Sequence, residues 1–366
     1  VCQESGAFKL NNFGGNTIMA QKQVRYGIIG CGAIGQRRHI PEAAANPNAV
    51  VAALADPVKE RVEELARKYN AQPFTNYQQL LAKADVDAVV VCGPNALHAR
   101  QTIDAFRAGK HVLVEKPMAC TRAEARAMLA AAKKARRFLM VGQNQRLMPA
   151  HQKAKEILKN GKLGKVLTFR TSFKHPGPDG WSVDGAKSWF FKKSAAVMGV
   201  TGDLGVHKAD LMRWLLDDEF VSVSAVIGTL DKRDSSGKLL ALDDNALLTL
   251  KTAGGIIGSI EISWTNYGME DNMTVLYCQN GVMYLGTDRE YGVIVQYRNG
   301  NKELHKVGAM ATNTQQVASG IIDSFTTAIL NRKSPEIDGM EGYRSLDVIL
   351  TAMESAQAGR SLRIRG

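Results

Sequence analysis

From residue 24 to about 142, short apolar runs alternate with amphipathic stretches. The runs are "VRYGIIG", "VVAALAD", "VDAVVVC", "HVLVEK" and "RFLMVG"; helical periodicity falls at 34–46, 57–69, 76–82, 95–108 and 121–136. Nearly continuous apolar strands separated by helices predict a parallel sheet covered on both faces, the doubly wound α/β arrangement.

The pattern changes after residue 143. A helix is predicted at 149–159, ended by "NGKLG". Strands then dominate at 164–175 and from 220 to about 306, including "VSVSAVIGTL", "ALLTLKT", "GIIGSIEISW", "MTVLYCQ" and "VIVQYRN". Turn signals such as "SSGK", "TAGG", "QNG" and "RNGN" separate many of them. Helices return at 203–216, 314–330 and 342–358. The expected division is therefore a doubly wound domain over 22–143 and an α+β domain over 144–366, the latter with one large, open, mainly antiparallel sheet. Residues 1–21 read as a flexible leader, polar at first and without the basic start and apolar stretch of a secretory signal. Met19 is the expected natural start, with the preceding residues a cloning remnant or upstream translation.

The 366 residues suffice for two such cores. The net charge of +12 is spread along the chain, with only short clusters such as "AKKARR" at 132–137. That cluster ends a predicted helix, where cations suit the helix dipole. Without a basic stripe interleaved with aromatics, the charge reads as solvated surface, and no nucleic-acid partner is expected. No apolar run is long enough to cross a bilayer, so no membrane partner is expected either. Cys2, Cys31, Cys92, Cys120 and Cys278 are scattered and lack CxxC spacing. They fit neither a disulfide scaffold nor a zinc site and favour a reducing compartment. With no targeting signal, the cytoplasm is expected.

Gly30, Gly32 and Gly35 form GxGxxG directly after the first strand and at the start of a helix. The first glycine permits a tight turn, the second a close approach of backbone to a pyrophosphate, and the third close helix–strand packing. Ala33 and Ile34 lie inside this turn, and the helix N-terminus presents free N–H groups to phosphate. Asp56 ends the second strand, about twenty residues beyond Gly35. A carboxylate there accepts from both ribose hydroxyls and repels a 2′-phosphate, and Pro57 rather than an arginine follows, which predicts NAD and a Rossmann domain. Asp56 equally suits an N-cap for the next helix. Pro94 and Asn95 leave the fourth strand at its carboxyl end, where ligands collect in open α/β sheets. Asn95 suits either the nicotinamide ribose or a helix cap. His98, one turn further on, suits cofactor contact, packing or capping.

In "GDLGVHKADLMRWLL", Asp203, His207, Asp210 and Trp214 recur at i, i+4, i+7 and i+11. At about 100° per residue they share one stripe, beside the apolar stripe of Leu204, Leu211 and Leu215. Polar groups at the margin of an apolar face suit a cleft wall; a surface or N-capping arrangement is the plainer alternative. Lys116 follows the strand "HVLV", with Glu115 to orient it and Pro117 to fix the turn, unless it is an ordinary surface lysine. No further histidine–carboxylate cluster has metal-ligand spacing, so no metal is expected.

Together these segments resemble the glucose–fructose oxidoreductase / inositol dehydrogenase / MocA family of nicotinamide-dependent oxidoreductases. The resemblance runs from about residue 22 to the end, and is most specific in "PNALH…AGKHVLVEKP" and "DLGVH" with Asp210. It implies that Lys116, Asp203 and His207 occupy catalytic positions. His207 would be the general base, with an ordinary pKa suited to neutral pH. Asp203 would orient His207 or the substrate, and Lys116 would stabilise the alkoxide. It implies a sugar, sugar derivative or cyclitol as substrate, and assembly as a homodimer or homotetramer through the second sheet. A redox-neutral enzyme that oxidises its sugar only transiently, such as an NAD-using glycoside hydrolase, and a non-catalytic NAD-binding regulator are the alternatives. "QNQR" at 143–146 resembles a family segment near the cleft, so Arg146 is a candidate for substrate contact or for an inter-domain salt bridge. In the loop at 174–191, Trp181, Trp189 and Phe190 are candidates to stack on a sugar ring or to fill core. Met198 stands where many members carry a small residue, which would narrow the pocket.

Overall fold

The computed structural model describes residues 23–234, 236–308 and 318–365. The leader with Met19, and positions 314–317 of the helix predicted at 314–330, lie outside the described residues.

Six parallel strands form the first sheet: β1 (Val24–Ile29), β2 (Ala49–Ala55), β3 (Gln72–Phe74), β4 (Ala88–Val91), β5 (His111–Val114) and β6 (Leu139–Val141). Their order is β3-β2-β1-β4-β5-β6, the Rossmann order. Every residue of β4 and β6 is buried, as expected for strands covered on both faces. Helices α1 (Ile40–Ala45), α2 (Lys59–Tyr69), α3 (Tyr77–Lys83), α4 (Asn95–Arg107) and α5 (Arg122–Ala135) connect them. The sequence pattern did not show β3. It is three residues long, mostly exposed, and carries Pro73, which an edge strand tolerates.

The second half contains α6 (Pro149–Lys159), β7 (Val166–Lys174), α7 (Lys193–Ala196), α8 (Val206–Leu216), β8 (Phe220–Gly228), β9 (Asn245–Thr252), β10 (Ile257–Ser263), β11 (Thr274–Cys278), β12 (Gly281–Leu285), β13 (Val293–Tyr297), β14 (Lys302–His305), α9 (Ile321–Leu330), α10 (Gly339–Ala358) and β15 (Leu362–Arg363). Its strands form one nine-stranded sheet, ordered β14-β13-β12-β11-β7-β10-β9-β8-β15. Only β7 and β10 pair in parallel. Helices α8 and α10 pack against one face. The opposite face exposes Val226, Leu247, Ile257 and Tyr277, which the strand register places on one side.

One element crosses the expected division. Ile321, Ile322 and Phe325 of α9 share a core cluster with Tyr26, Ile28 and Ile40, and the Tyr26 hydroxyl lies 2.8 Å from Thr326 Oγ1. The chain thus returns to cover the first sheet, which needs apolar cover on both faces.

Candidate active site

Two adjoining hollows meet at the carboxyl ends of the first sheet's strands. The first is a groove of about 1140 Å³ lined by Gly30, Gly32, Asp56, Arg61, Pro94 and Trp189, among others. Gly30 turns with φ +103°, and a Cβ there would come within 2.8 Å of the Cys92–Gly93 backbone. A Cβ on Gly35 would lie 2.5 Å from Gly30 O, whereas one on Gly32 would meet nothing within 4 Å. Gly30 and Gly35 thus allow close packing, and Gly32 borders open space, the room that close approach of a pyrophosphate would need. The chain after Gly35 makes one wide turn, Gly35–His39, before α1.

Asp56 closes this loop: its Oδ2 accepts from Cys31 N at 2.8 Å and its Oδ1 from Val58 N at 2.9 Å. Helix α2 begins at Lys59, so Asp56 supports the turn before the helix rather than capping it. Arg61, which the sequence pattern did not bring forward, lies 3.5 Å from Asp56 and donates to Asp184 Oδ1 at 2.7 Å. We expect Asp56→Ser to weaken NAD binding roughly ten- to hundredfold, the worth of hydrogen bonds to a charged group. It should also narrow the gap to NADP, because Arg61 would lose a neutralising carboxylate. Fluorescence titration with both cofactors measures this, and an unchanged NAD-to-NADP ratio would remove Asp56 from the ribose site.

The second hollow, a cleft of about 880 Å³, is lined from both halves of the chain. Ala33, Ile34, Arg38, Asn95, His98, Glu115 and Lys116 come from the first; Trp181, Trp189, Phe190, Asp203 and His207 come from the second. Lys116 Nζ donates to Asp203 Oδ1 at 2.6 Å and to Asp203 O at 3.0 Å. Asp203 Oδ2 accepts from Trp264 Nε1 at 3.0 Å. Both oxygens of Asp203 are thus engaged, Oδ1 by Lys116 and Oδ2 by Trp264, and neither is hydrogen-bonded to His207. Glu115 likewise does not hold the Lys116 ammonium. Its Oε1 lies 2.8 Å from His39 Nε2 and 3.3 Å from Arg38 Nη1, while Oε2 accepts from Lys116 N at 3.2 Å. Burial works to raise the Glu115 pKa, but the His39 hydrogen bond, with the charges of His39, Arg38 and Lys116, holds it below the usual carboxylate range.

His207 is 6% exposed and has no hydrogen-bond partner on Nδ1. Burial lowers its pKa well below the ordinary value, and the Lys116 ammonium adds to the effect. The near-neutral pKa expected from the sequence does not survive the loss of solvent.

The fold around this histidine begins at Gly199, where a Cβ would lie 1.9 Å from Asp243 O. Asp243 accepts from Gly199 N at 2.9 Å and Thr201 N at 2.7 Å, anchoring the start of the helical segment. A wide turn, Thr201–Gly205, then leads into α8. Met198 packs against Gly202, outside the cleft lining, so it does not narrow the pocket.

Residues 24–143 match the GFO/IDH/MocA oxidoreductase family, NAD-binding Rossmann fold, and residues 151–284 match the GFO/IDH/MocA C-terminal domain. The levoglucosan dehydrogenase of Pseudarthrobacter phenanthrenivorans is 32% identical over 69% of this chain and 70% of its own. The chain belongs to the Gfo/Idh/MocA oxidoreductase family. The myo-inositol 2-dehydrogenase of Thermotoga maritima is 26% identical over 93% of this chain and 98% of its own. A solved levoglucosan dehydrogenase in complex with NADH and levoglucosan superimposes with a TM-score of 0.83, at 25% identity, over 94% of this chain and 100% of that one. The first half of this Gfo/Idh/MocA protein is therefore an NAD-binding Rossmann domain.

Arg146 and Trp214 lie away from the cleft, whereas Asn95, His98, Trp181, Trp189 and Phe190 line it. Arg146 is 3% exposed and does not line it. Its guanidinium donates to both oxygens of Asp210, at 2.7 and 2.6 Å, and to Glu341 Oε2 at 2.6 Å. Arg146 thus forms a buried ion pair with Asp210 and Glu341, the salt-bridge alternative of the two. Trp214, last in the polar stripe, donates to Glu336. The stripe splits because the wide turn before α8 shifts the helical phase between Asp203 and Asp210. Asn95 caps nothing; its Nδ2 donates to Ala196 O at 3.0 Å and ties α4 to the second half. His98 has Nδ1 2.8 Å from Pro117 O and Nε2 2.9 Å from Gly93 O, so its ring nitrogens are occupied by backbone. Trp189 stacks on Phe190 with centroids 3.9 Å apart, and Trp181 meets the same ring edge-on.

Beside His207 lies Lys208, fully buried, with no hydrogen-bond partner on Nζ. Burial lowers its pKa to about 7, against the opposing charges of Asp271 and Glu270. The unfolded chain then takes up a proton between the ordinary value and about 7 that the folded chain lacks, so this lysine costs stability as pH falls through that window. Lys208→Met should stabilise by a few kcal/mol, about the worth of the shift. The gain should be full below pH 7 and vanish above the ordinary lysine pKa. Denaturant unfolding at both pH values checks this.

Proposed function

We propose that this protein is an NAD-dependent dehydrogenase that oxidises a secondary hydroxyl of a sugar, sugar derivative or cyclitol, with His207 as general base. The observation that carries this reading is the His207 ring: buried, its pKa lowered by that burial, and its Nδ1 without a partner among the described residues, in a cleft shared with the Lys116–Asp203 pair. An unprotonated imidazole can take the hydroxyl proton as the carbon loses hydride. Lys116, held by Asp203, places positive charge where the alkoxide develops. Trp264 fixes the other oxygen of Asp203, so the lysine is positioned before substrate arrives. The nicotinamide, when bound, supplies the hydride acceptor.

The test follows nicotinamide absorbance with NAD over levoglucosan, inositols and aldoses. Stoichiometric NADH formation with at least one is expected. NAD binding without reduction by any of them would overturn the reading, and sugar turnover without NADH release would favour the redox-neutral alternative.

The exposed face bearing Val226, Leu247, Ile257 and Tyr277 supports assembly through the second sheet. Light scattering should report a dimer or tetramer, and a concentration-independent monomer would end that proposal. A cytoplasmic location belongs to the same reading; Cys31, Cys92, Cys120 and Cys278 are free thiols, as a reducing compartment keeps them. No helix among the described residues is long and apolar enough to cross a membrane.

A further inference from the structure

Asn272 lies between β10 and β11, is 7% exposed, and lines the cleft. Both polar atoms of its side chain, Nδ2 and Oδ1, are buried without a partner among the described residues. Its backbone is held on each side. Asp271 exchanges hydrogen bonds with Lys174, at 2.7 and 2.9 Å, and Met273 O accepts from Ser172 N at 2.9 Å. An amide fixed in place and left without partners is uncommon, because buried polar groups are normally satisfied. Two more cleft-lining groups share this state: Gln145 Oε1, on a side chain 2% exposed, and Trp181 Nε1. Asn272 was not signalled by the sequence; Trp181 was, but as a ring to stack on a sugar, and Gln145 only as part of "QNQR".

We propose that Asn272 is a specificity-determining residue that reads the hydroxyl groups flanking the reacting carbon, seconded by Gln145 and Trp181. This rests on the polyol dehydrogenase reading and adds to it the atoms that select the ligand. A hydroxyl both donates and accepts, and so does a carboxamide. Asn272 offers one donor side and one acceptor side, Gln145 a further acceptor, and Trp181 a further donor. Adjacent hydroxyls satisfy that set together. A ligand lacking them leaves buried groups unpaired, which is how a site rejects an analogue missing a hydroxyl. None of these atoms belongs to the Lys116–Asp203 pair or to His207, so ligand recognition is separable from the proton chemistry.

The test titrates the NADH-loaded protein with myo-inositol and with levoglucosan, reading nicotinamide fluorescence. With NADH in place an alcohol cannot be oxidised, so binding is read without turnover. Wild type should bind at least one of the two. Asn272→Leu should bind it roughly ten- to hundredfold more weakly, the worth of one or two lost hydrogen bonds, with NADH affinity unchanged. In steady state the same variant should raise KM with kcat nearly held. Asn272→Ala, too small to clash with the wall, is the second variant and should show the same loss. Polyol affinity equal to wild type in a folded variant overturns the inference alone. If NADH binds and neither polyol does, the polyol reading and the inference fall together.

Discussion

His207→Ala should lower turnover about a hundred- to ten-thousandfold, the usual worth of a general base, while NAD affinity stays nearly unchanged. The separation follows from placement. His207 lines the cleft and not the groove that holds Asp56 and Arg61. Its Nδ1 has no hydrogen-bond partner among the described residues, so its loss breaks no bond there. Lys116→Ala should also cut turnover, but its interpretation needs a second readout. Removing the ammonium leaves Asp203, 5% exposed, with Trp264 as its remaining side-chain partner, and an uncompensated buried carboxylate is strongly destabilising. A Lys116→Ala enzyme should therefore melt earlier than wild type, whereas His207→Ala should not. The two losses in kcat should be far from additive, because residues acting as one unit fail together. Steady-state kinetics, NAD titration and thermal melts on the single and double variants decide this. Near-wild-type turnover in His207→Ala would move the base elsewhere, with Lys116 next in line.

The alternation of apolar strands and amphipathic helices made both sheets legible, since burial on two faces or one leaves a direct trace in the chain. Strand β3 left none, because three exposed residues with a proline bury too little to show a pattern. Within the site, the glycine turn was legible because its requirements are local: a positive φ, a close backbone and an open space. Lys116, Asp203 and His207 stood out by their positions at a strand end and along a helix. What they touch was hidden. Trp264 is 61 residues from Asp203, and Arg38 and His39 are 77 and 76 residues from Glu115. No periodicity links such pairs. Arg146 and Asp210 show the converse. Both residue types suggested chemistry, yet they satisfy each other in the interior, where an arginine and a carboxylate are each costly alone.

Acid should destabilise this protein well before its carboxylates titrate. His151, His175 and His207 are buried, and burial lowers the pKa of each, that of His151 to about 3. Two of the rings are also set against a cation, Lys208 beside His151 and Lys116 beside His207; at His175 the Asp203 carboxylate opposes burial more than Lys116 adds to it. His98 is lowered by burial too, but its two carbonyl partners oppose the effect, and His111 is only half-buried, so both add less. Once the pH falls below the ordinary histidine value of about 6.5, the unfolded chain binds protons that the folded chain refuses. Stability then falls with pH. Each ring that stays neutral costs about 1 kcal/mol between pH 6.5 and 5.5, so His151 and His207 together cost about 2 kcal/mol over that unit, and His175 adds in the same direction. That is a large share of the roughly 5–15 kcal/mol that holds a typical domain folded. Glu115 and Glu341, whose pKa values are lowered in the folded state, steepen the loss only at lower pH. Lys208 contributes no slope here, because its penalty is complete once the pH is below about 7. Thermal melts from pH 8 to 5 at constant ionic strength should therefore run level at first and then drop below about 6.5. His151→Gln should make the drop shallower by one proton's worth, since one neutral ring is removed. A melting temperature that stayed level down to pH 5 would mean that these rings accept protons in the folded state, and His207 would then be no reliable base in that range.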